Sequence, residues 1–393
     1  MNNLNIINGN VVLENSVEKI NIKIINGKII LGDNANEISE EAEVIDAKGL
    51  YVLPGFIDIH IHGGGGSDFM DLTEYAFKNI ISTHAYHGTT AIMPTTLSAS
   101  PESIESFLKL YKIMKNKVLD ADLLGVHLEG PFLSPDQTGA QNKSMLLLPT
   151  EDNIRFLEKY TDIIKRIDIA PELEGAMSAG KFFSDNGAVV SIGHSDALFD
   201  VVEKSLKYGF SHVTHLHCAS PWARKIDERL RAGIPEAAYL FDDMSFELIG
   251  DGYHIAPQTI EMAARFKQNC KVSLVTDAMR AAGTEVSESY LGTVAPENRV
   301  IIEGGVAKLP DRSCFAGSIA TMDDVFFNAL KNTKLPITKV CELTSTAAAV
   351  LLGIDKVKGS IAYGKDADIV IADIEKNKLR YVISNGRIIR KTL

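Results

Sequence analysis

Eight short apolar runs, spaced by helix-like segments, constrain this chain more than any other feature of its sequence. They run from Leu53 to Ile61, Thr89 to Pro94, Leu123 to Leu128, Ile167 to Pro171, Ala188 to Ile192, His212 to Leu216, Phe246 to Ile249 and Val272 to Val275. Helical periodicity fills much of the space between them, as in Glu102 to Val118, Asp152 to Ile164, Leu198 to Tyr208 and Thr259 to Lys267. A strand that is apolar at nearly every position needs cover on both faces, and parallel strands joined by crossover helices supply it. Eight such units predict a closed (β/α)8 TIM-like barrel, with an open doubly wound sheet as the alternative. No G-x-G-x-x-G follows the first run and no P-loop sequence occurs, so the usual nucleotide-binding forms of an open sheet find no support.

The two ends have a different texture. Leu4 to Val12 and Ile20 to Ile30 read as hairpins turning at Asn8-Gly9 and Asn26-Gly27. Ala367 to Asp373 reads as a strand, and Tyr381 to Ile389 as a hairpin through Asn385-Gly386. Neither end has residues enough for its own core. Pairing them into one small β-sandwich is the economical arrangement. The expected division is residues 1–50 with 357–393 for the sandwich and 51–356 for the barrel. A barrel uses about 250 residues, so the 393 present fit a barrel plus one small unit.

A net charge of -11 speaks against a nucleic-acid or anionic-membrane partner. No apolar stretch approaches the ~20 residues that span a bilayer, and Met1-Asn-Asn-Leu-Asn5 has no basic start or apolar block of a secretion signal. The four cysteines show no C-x-x-C spacing, which suits reduced thiols and a cytoplasmic location.

Polar residues cluster at the C-terminal ends of the apolar runs, where barrels carry their active sites. His60 and His62 close the first run, and the i, i+2 spacing puts both imidazoles on one face. Glu129 follows the third, His194 the fifth, His215 the sixth, Asp251 and His254 the seventh, and Asp277 the eighth. Buried unpartnered, such groups are costly; a shared divalent metal is the simplest partner. Imidazole and carboxylate suit zinc, and also iron, manganese or cobalt. Glu129, His194 and His215 would hold one ion, with Asp277 as the general base. His127 is expected as a supporting or core histidine and Cys218 as a buried thiol. For His217, substrate contact and packing weigh about evenly. Gly63 to Gly66 reads as a mobile loop.

The strings His-Leu-Glu-Gly-Pro131, Gly-His-Ser195, Thr-His-Leu216, Asp-Gly-Tyr-His254, Val-Thr-Asp-Ala278 and Phe-Ala-Gly-Ser318 resemble the amidohydrolase superfamily, over essentially the whole chain. Within it they are similar to the branch that deacetylates N-acetylated amino sugars. The resemblance implies Glu129, His194 and His215 as metal ligands and Asp277 as acid/base. It implies His60 and His62 as ligands of a second ion, and His254 as a contact to the sugar or the reacting carbonyl. Gln141 stands where the branch usually has a histidine that meets the sugar. Cys218-Ala219 stands where an Asn-Ala pair binds phosphate, and Ser318 lies in the loop after the eighth strand. The spacing of the phosphate-binding arginine lands on Ile226, with Arg224, Arg229 and Arg231 nearby. The implied reaction is metal-dependent deacetylation of N-acetylglucosamine 6-phosphate, with one or two ions per chain and a homodimer as the assembly. N-acetylgalactosamine 6-phosphate, another linear or cyclic amide, and a non-catalytic scaffold are the alternatives.

Overall fold

A computed structural model describes residues 3–32 and 42–392. Eight parallel strands close into a barrel: Phe56–Ile61, Thr89–Pro94, Val126–Leu128, Ile164–Asp168, Val189–Ile192, Phe210–Val213, Ser245–Ile249 and Val272–Val275. The seam between the second and third strands is bridged by Thr95 with His127, and the last strand returns to the first through Ile61 with Ala278. Helices such as Glu74–Tyr86, Pro101–Met114 and Met322–Asn332 bury their apolar faces against the strands. Phe56, Phe77, Phe107, Phe183 and Phe326 belong to that layer, each essentially inaccessible to solvent.

The first apolar run is two strands. Tyr51–Pro54 pairs with Asn10–Val12 and with Ile369–Asp373, in a sheet otherwise drawn from the chain ends. Phe56–Ile61 then enters the barrel. The chain turns at Gly55, where an added Cβ would lie 2.2 Å from Thr90 Oγ1, closer than any side chain permits.

A four-stranded sheet (Lys28–Ile30, Ile22–Ile25, Leu4–Ile7, Glu43–Asp46) packs on a six-stranded one. Leu4, Ile6, Ile22, Ile24 and Ile45 of the first share a core with Val11, Val52, Ile369, Ile371 and Ile383 of the second. The turns at Asn26-Gly27 and Asn385-Gly386 are hairpin turns with positive φ at both residues. Asn8-Gly9 is not one: Leu4–Ile7 pairs with Ile22–Ile25, while Asn10–Val12 crosses to the other sheet. The expected helix from Asp152 to Ile164 is one short helix, Glu151–Ile154, then a 3₁₀ segment, Arg155–Tyr160, and the fourth strand starts at Ile164. After the eighth strand a three-stranded antiparallel sheet (Glu288–Tyr290, Arg299–Glu303, Val306–Lys308) precedes the last long helix. No described helix is long and apolar enough to cross a membrane.

Candidate metal centre and active site

His60, on the first strand, meets residues delivered by the third, sixth and seventh strands, so its side chain points to the barrel axis. Its ring centroid lies 4.8 Å from that of His127 and 5.5 Å from that of His215. Glu129 sits just past the third strand, and its Oε1 is 3.1 Å from the Nε2 atoms of both His194 and His215. Its Oε2 is 3.3 Å from His62 Nε2. Two donor groups result, Glu129/His194/His215 and His60/His62/Glu129, each with its ligand atoms within 4.8 Å of one another. Asp277 Oδ1 lies 3.1 Å from His62 Nε2 and 3.4 Å from His60 Nε2.

Local backbone aims these side chains. His194, His215 and Asp277 follow strands five, six and eight, and all three have positive φ, at 47°, 27° and 48°. Non-glycine residues adopt that region seldom and at a cost. Here it turns each side chain back over the barrel mouth. The former loop candidate Gly63 to Gly66 is packed rather than loose: Gly63 and Gly64 pair with Asp68 and Ser67. A Cβ on Gly64 would come within 2.5 Å of His84 Nε2.

The imidazoles are arranged to offer Nε2. His194 Nδ1 is 2.8 Å from the Gln137 carbonyl, and His215 Nδ1 is 3.2 Å from that of Cys218. His60 Nδ1 is 2.5 Å from Glu247 Oε1. Each Nδ1–H therefore donates away from the centre and leaves an Nε2 lone pair facing Glu129, the tautomer a metal ligand needs. His60 Nε2 and His62 Nε2 lie 3.2 Å apart, and His194 Nε2 and His215 Nε2 3.1 Å apart. Two lone pairs so close repel without a cation between them. The residues thus fit a divalent ion in each group.

Without metal, protons take up that role. Burial alone would lower the pKa of His60, but Glu247, Asp277 and Glu129 raise it well above the ordinary imidazole value. Hydrogen bonds to Asp277 and Glu129 outweigh burial at His62 and raise it to about 9. Burial works against ionised Glu129 and Asp277, yet the surrounding histidines hold both carboxyls below their usual range.

Beneath the centre lies a charged network whose role went unread in the sequence. Arg166, on the fourth strand and fully buried, pairs with Glu247, donates to Thr214 Oγ1 at 2.7 Å and to Ser191 Oγ at 3.0 Å. Thr214 Oγ1 donates to Asp168 at 2.8 Å, and Asp168 also faces His127 at 2.9 Å. His127 is thus a supporting residue, held neutral with its pKa pushed down to about 4 by burial and then by Arg166. The available signal was the i, i+2 spacing of Arg166 and Asp168, which puts both on the inward face of one strand.

The centre opens into a cleft of about 210 Å³. Gln141, Cys218, Ala219 and His254 line it, with Leu97, Leu291, Cys314 and Phe315 from loops. His254 Nδ1 is 2.7 Å from Asp251 Oδ2, so its Nε2 is free for a ligand. Other expected contacts lie elsewhere. Ser318 is fully buried and braces the Asp277 turn, its Oγ donating to the Thr276 carbonyl at 2.5 Å. Arg224 is outside the cleft lining and pairs with Asp196 at 2.6 Å. Arg229 is exposed on a two-stranded hairpin, Arg224–Ile226 with Arg229–Arg231, and does not reach the lining either. His217 stacks on Trp222, with ring centroids 4.8 Å apart.

The model of the amidohydrolase family matches residues 51–389. An N-acetylglucosamine-6-phosphate deacetylase of Bacillus subtilis is 35% identical over 327 residues, 81% of this chain and 80% of that protein. One from Homo sapiens is 31% identical over 357 residues, 85% and 83% of the two chains. The crystal structure of the Pasteurella multocida N-acetylglucosamine-6-phosphate deacetylase superposes with a TM-score of 0.89 at 25% identity, covering 98% of this chain and 99% of that one. A Mycobacterium smegmatis structure in complex with N-acetyl-D-glucosamine-6-phosphate gives 0.88 at 26% identity, with full coverage of both. Barrel, metal-ready histidines and sequence agree, and the chain belongs to the amidohydrolase family.

Proposed function

We propose that this chain hydrolyses N-acetylglucosamine 6-phosphate to glucosamine 6-phosphate and acetate. The observation that carries the reading is the pair of donor groups sharing Glu129, with Asp277 beside them at the cleft. The names of the similar proteins supply the substrate. Glu129, His194 and His215 would hold one divalent ion, and His60 and His62 with Glu129 a second, zinc being the best match to the donor set. Bound there, such an ion supplies Lewis acidity and makes water acidic enough to act near neutral pH. Asp277 accepts a proton from the attacking water and returns it to the departing amine nitrogen. His254, oriented by Asp251, presents Nε2 to the sugar or the reacting carbonyl.

In this reading the hydrolase barrel runs from Gly55, not from the expected residue 51, to about residue 356, because Tyr51–Pro54 joins the terminal sheet; the described residues on either side carry the small β unit. Free Cys218, Cys270, Cys314 and Cys341 suit a cytoplasmic enzyme. A sugar phosphate needs a cation; the cleft over the centre is lined by no arginine, and the pocket that adjoins it through Leu97, Gly139, Gln141 and Leu291 includes Lys143. Arg229 and Arg231 stand exposed on their hairpin beside Leu230, itself 71% exposed, and we read that edge as a contact in a homodimer.

That neither lining contains an arginine leaves a second reading, an unphosphorylated N-acyl sugar. Acetate release from metal-reconstituted protein separates the two. N-acetylglucosamine 6-phosphate should exceed its unphosphorylated counterpart and N-acetylgalactosamine 6-phosphate in kcat/KM. Turnover of the unphosphorylated sugar alone would establish the second reading, and release from no N-acetylhexosamine would sink both.

A further inference from the structure

Glu129 stands between both donor groups, and its own side chain does not decide how the two oxygens are shared. The terminal torsion of a glutamate is soft and roughly two-fold. An unrestrained carboxylate could turn both oxygens towards His194 and His215. Instead Oε1 lies 3.1 Å from those two imidazoles, and Oε2 lies 3.3 Å from His62. Gln141 holds this orientation. Its Nε2 donates to Glu129 Oε2 at 2.6 Å. Its Oε1 accepts the backbone N–H of Ser98 at 2.8 Å. That second bond settles which end of the amide meets the carboxylate, because only the NH₂ end can donate. Gln141 is only 9% exposed. The same loop supplies the Gln137 carbonyl that orients His194. One loop thus positions two of the three donors in the Glu129/His194/His215 group.

We infer that Gln141 is a positioning residue that holds Glu129 as a bridge between the two donor groups, and so sets the capacity of the chain for a second divalent ion. This rests on the proposal that Glu129 is a metal ligand. Oε2 accepts the Gln141 N–H with one lone pair and keeps the other for the His60/His62 side. Without the amide, the carboxylate is free to chelate a single ion beside His194 and His215. The His60/His62 pair then loses its anionic ligand. None of this requires substrate: Gln141 acts on the ligand set before a sugar enters.

The test is a metal titration of metal-free protein, wild type against Gln141→Met, with zinc counted by mass spectrometry and cobalt followed by its visible absorption. The wild type should take two ions. Gln141→Met should take the first with wild-type affinity and the second ~10–100-fold more weakly, the usual effect of losing a partner behind a metal ligand. Gln141→Asn, too short to reach both partners, should show the same split. The retained first ion doubles as the check that either variant is folded. Identical two-ion titrations in wild type and variants overturn the inference. So does equal weakening of both ions, which is what general loosening would produce. A wild type that takes a single ion also overturns it, since Glu129 then bridges nothing. A wild type that takes none defeats instead the metal reading on which the inference rests.

Discussion

In the small β unit the residues turned inward are Leu4, Ile6, Val11, Ile22, Ile24, Val52, Ile369 and Ile383. At the upper end of the barrel they are His60, Glu129, Arg166, Asp168 and Glu247, equally buried. Both regions are strands that exclude water. One spends its interior on apolar contact, which needs only volume to match. The other keeps ionised groups where every charge must have a partner. The unit that carries no chemistry fills the space between its two sheets with aliphatic side chains; the end that carries it accepts left-handed backbone at His194, His215 and Asp277 and a buried arginine beneath. A buried charge in the small unit's seam, Lys358, makes the contrast sharper. It is 6% exposed and lies 2.6 Å from both Asp122 and Asp368 and 3.0 Å from Asp366, tying the barrel to the terminal strands.

The contrast can be broken by experiment, most sharply at a metal donor. His194→Ala should lose the ion of its group, with a drop in affinity beyond the ~10–100-fold typical of outer partners, and nearly all turnover with it. Elemental analysis after dialysis checks this, and a variant that keeps both ion and turnover would remove His194 from the centre. Asp277→Asn should keep fold and metal while kcat falls ~10²–10⁴-fold. Near wild-type kcat would leave the acid/base role vacant. Lys358→Met should do the reverse, lowering unfolding free energy by on the order of 3–5 kcal/mol while turnover per folded molecule stays unchanged. If denaturant titration shows no loss, or kcat drops in the folded protein, the two regions are not separable in this way.

The smallest effect concerns pH. Burial pushes the His84 imidazole down to about 4, so the folded chain keeps it neutral where the unfolded chain would protonate it. Unfolded histidine titrates near ~6.5. Stability from this residue is therefore constant above that value and falls as pH drops towards 4, by about 1.4 kcal/mol per pH unit. Melting curves at pH 7 and 5.5 should show a smaller acid loss for His84→Gln than for the wild type. Equal losses would mean that His84 does not contribute.

The barrel and the centre were legible for one reason: polar residues sat at the ends of runs that were otherwise apolar. His60, His62, Glu129, His194, His215 and Asp277 all announced themselves that way, and they converge. Arg166 did not, because the expected fourth strand began at Ile167, three residues after its true start at Ile164. Glu247 lay inside an expected strand but looked like an isolated charge; its partners come from the first and fourth strands, which no local window connects. The same limit explains Asn8-Gly9. The dipeptide does turn the chain, but which sheet each flanking strand joins depends on partners far along the sequence. The arginine-rich segment after the sixth strand carried no readable turn signal of the Asn-Gly kind. Asp227 and Glu228, at φ of 48° and 66°, make it a hairpin, and neither residue type signals such a turn strongly.

Tyr51–Pro54 hydrogen-bonds to Ile369–Asp373, a partner more than three hundred residues further along the chain. On a ribosome adding ~5–20 residues per second, the early strand waits on the order of 15–60 s for that partner to be made. The barrel strands, all encoded between the two, can assemble in the meantime. For that interval one edge of Tyr51–Pro54 is an unpaired ladder, the kind of edge on which nascent chains aggregate. A fold whose early strand is completed by one made so much later carries an open edge through that stretch of synthesis, and loses it only when Ile369–Asp373 emerges.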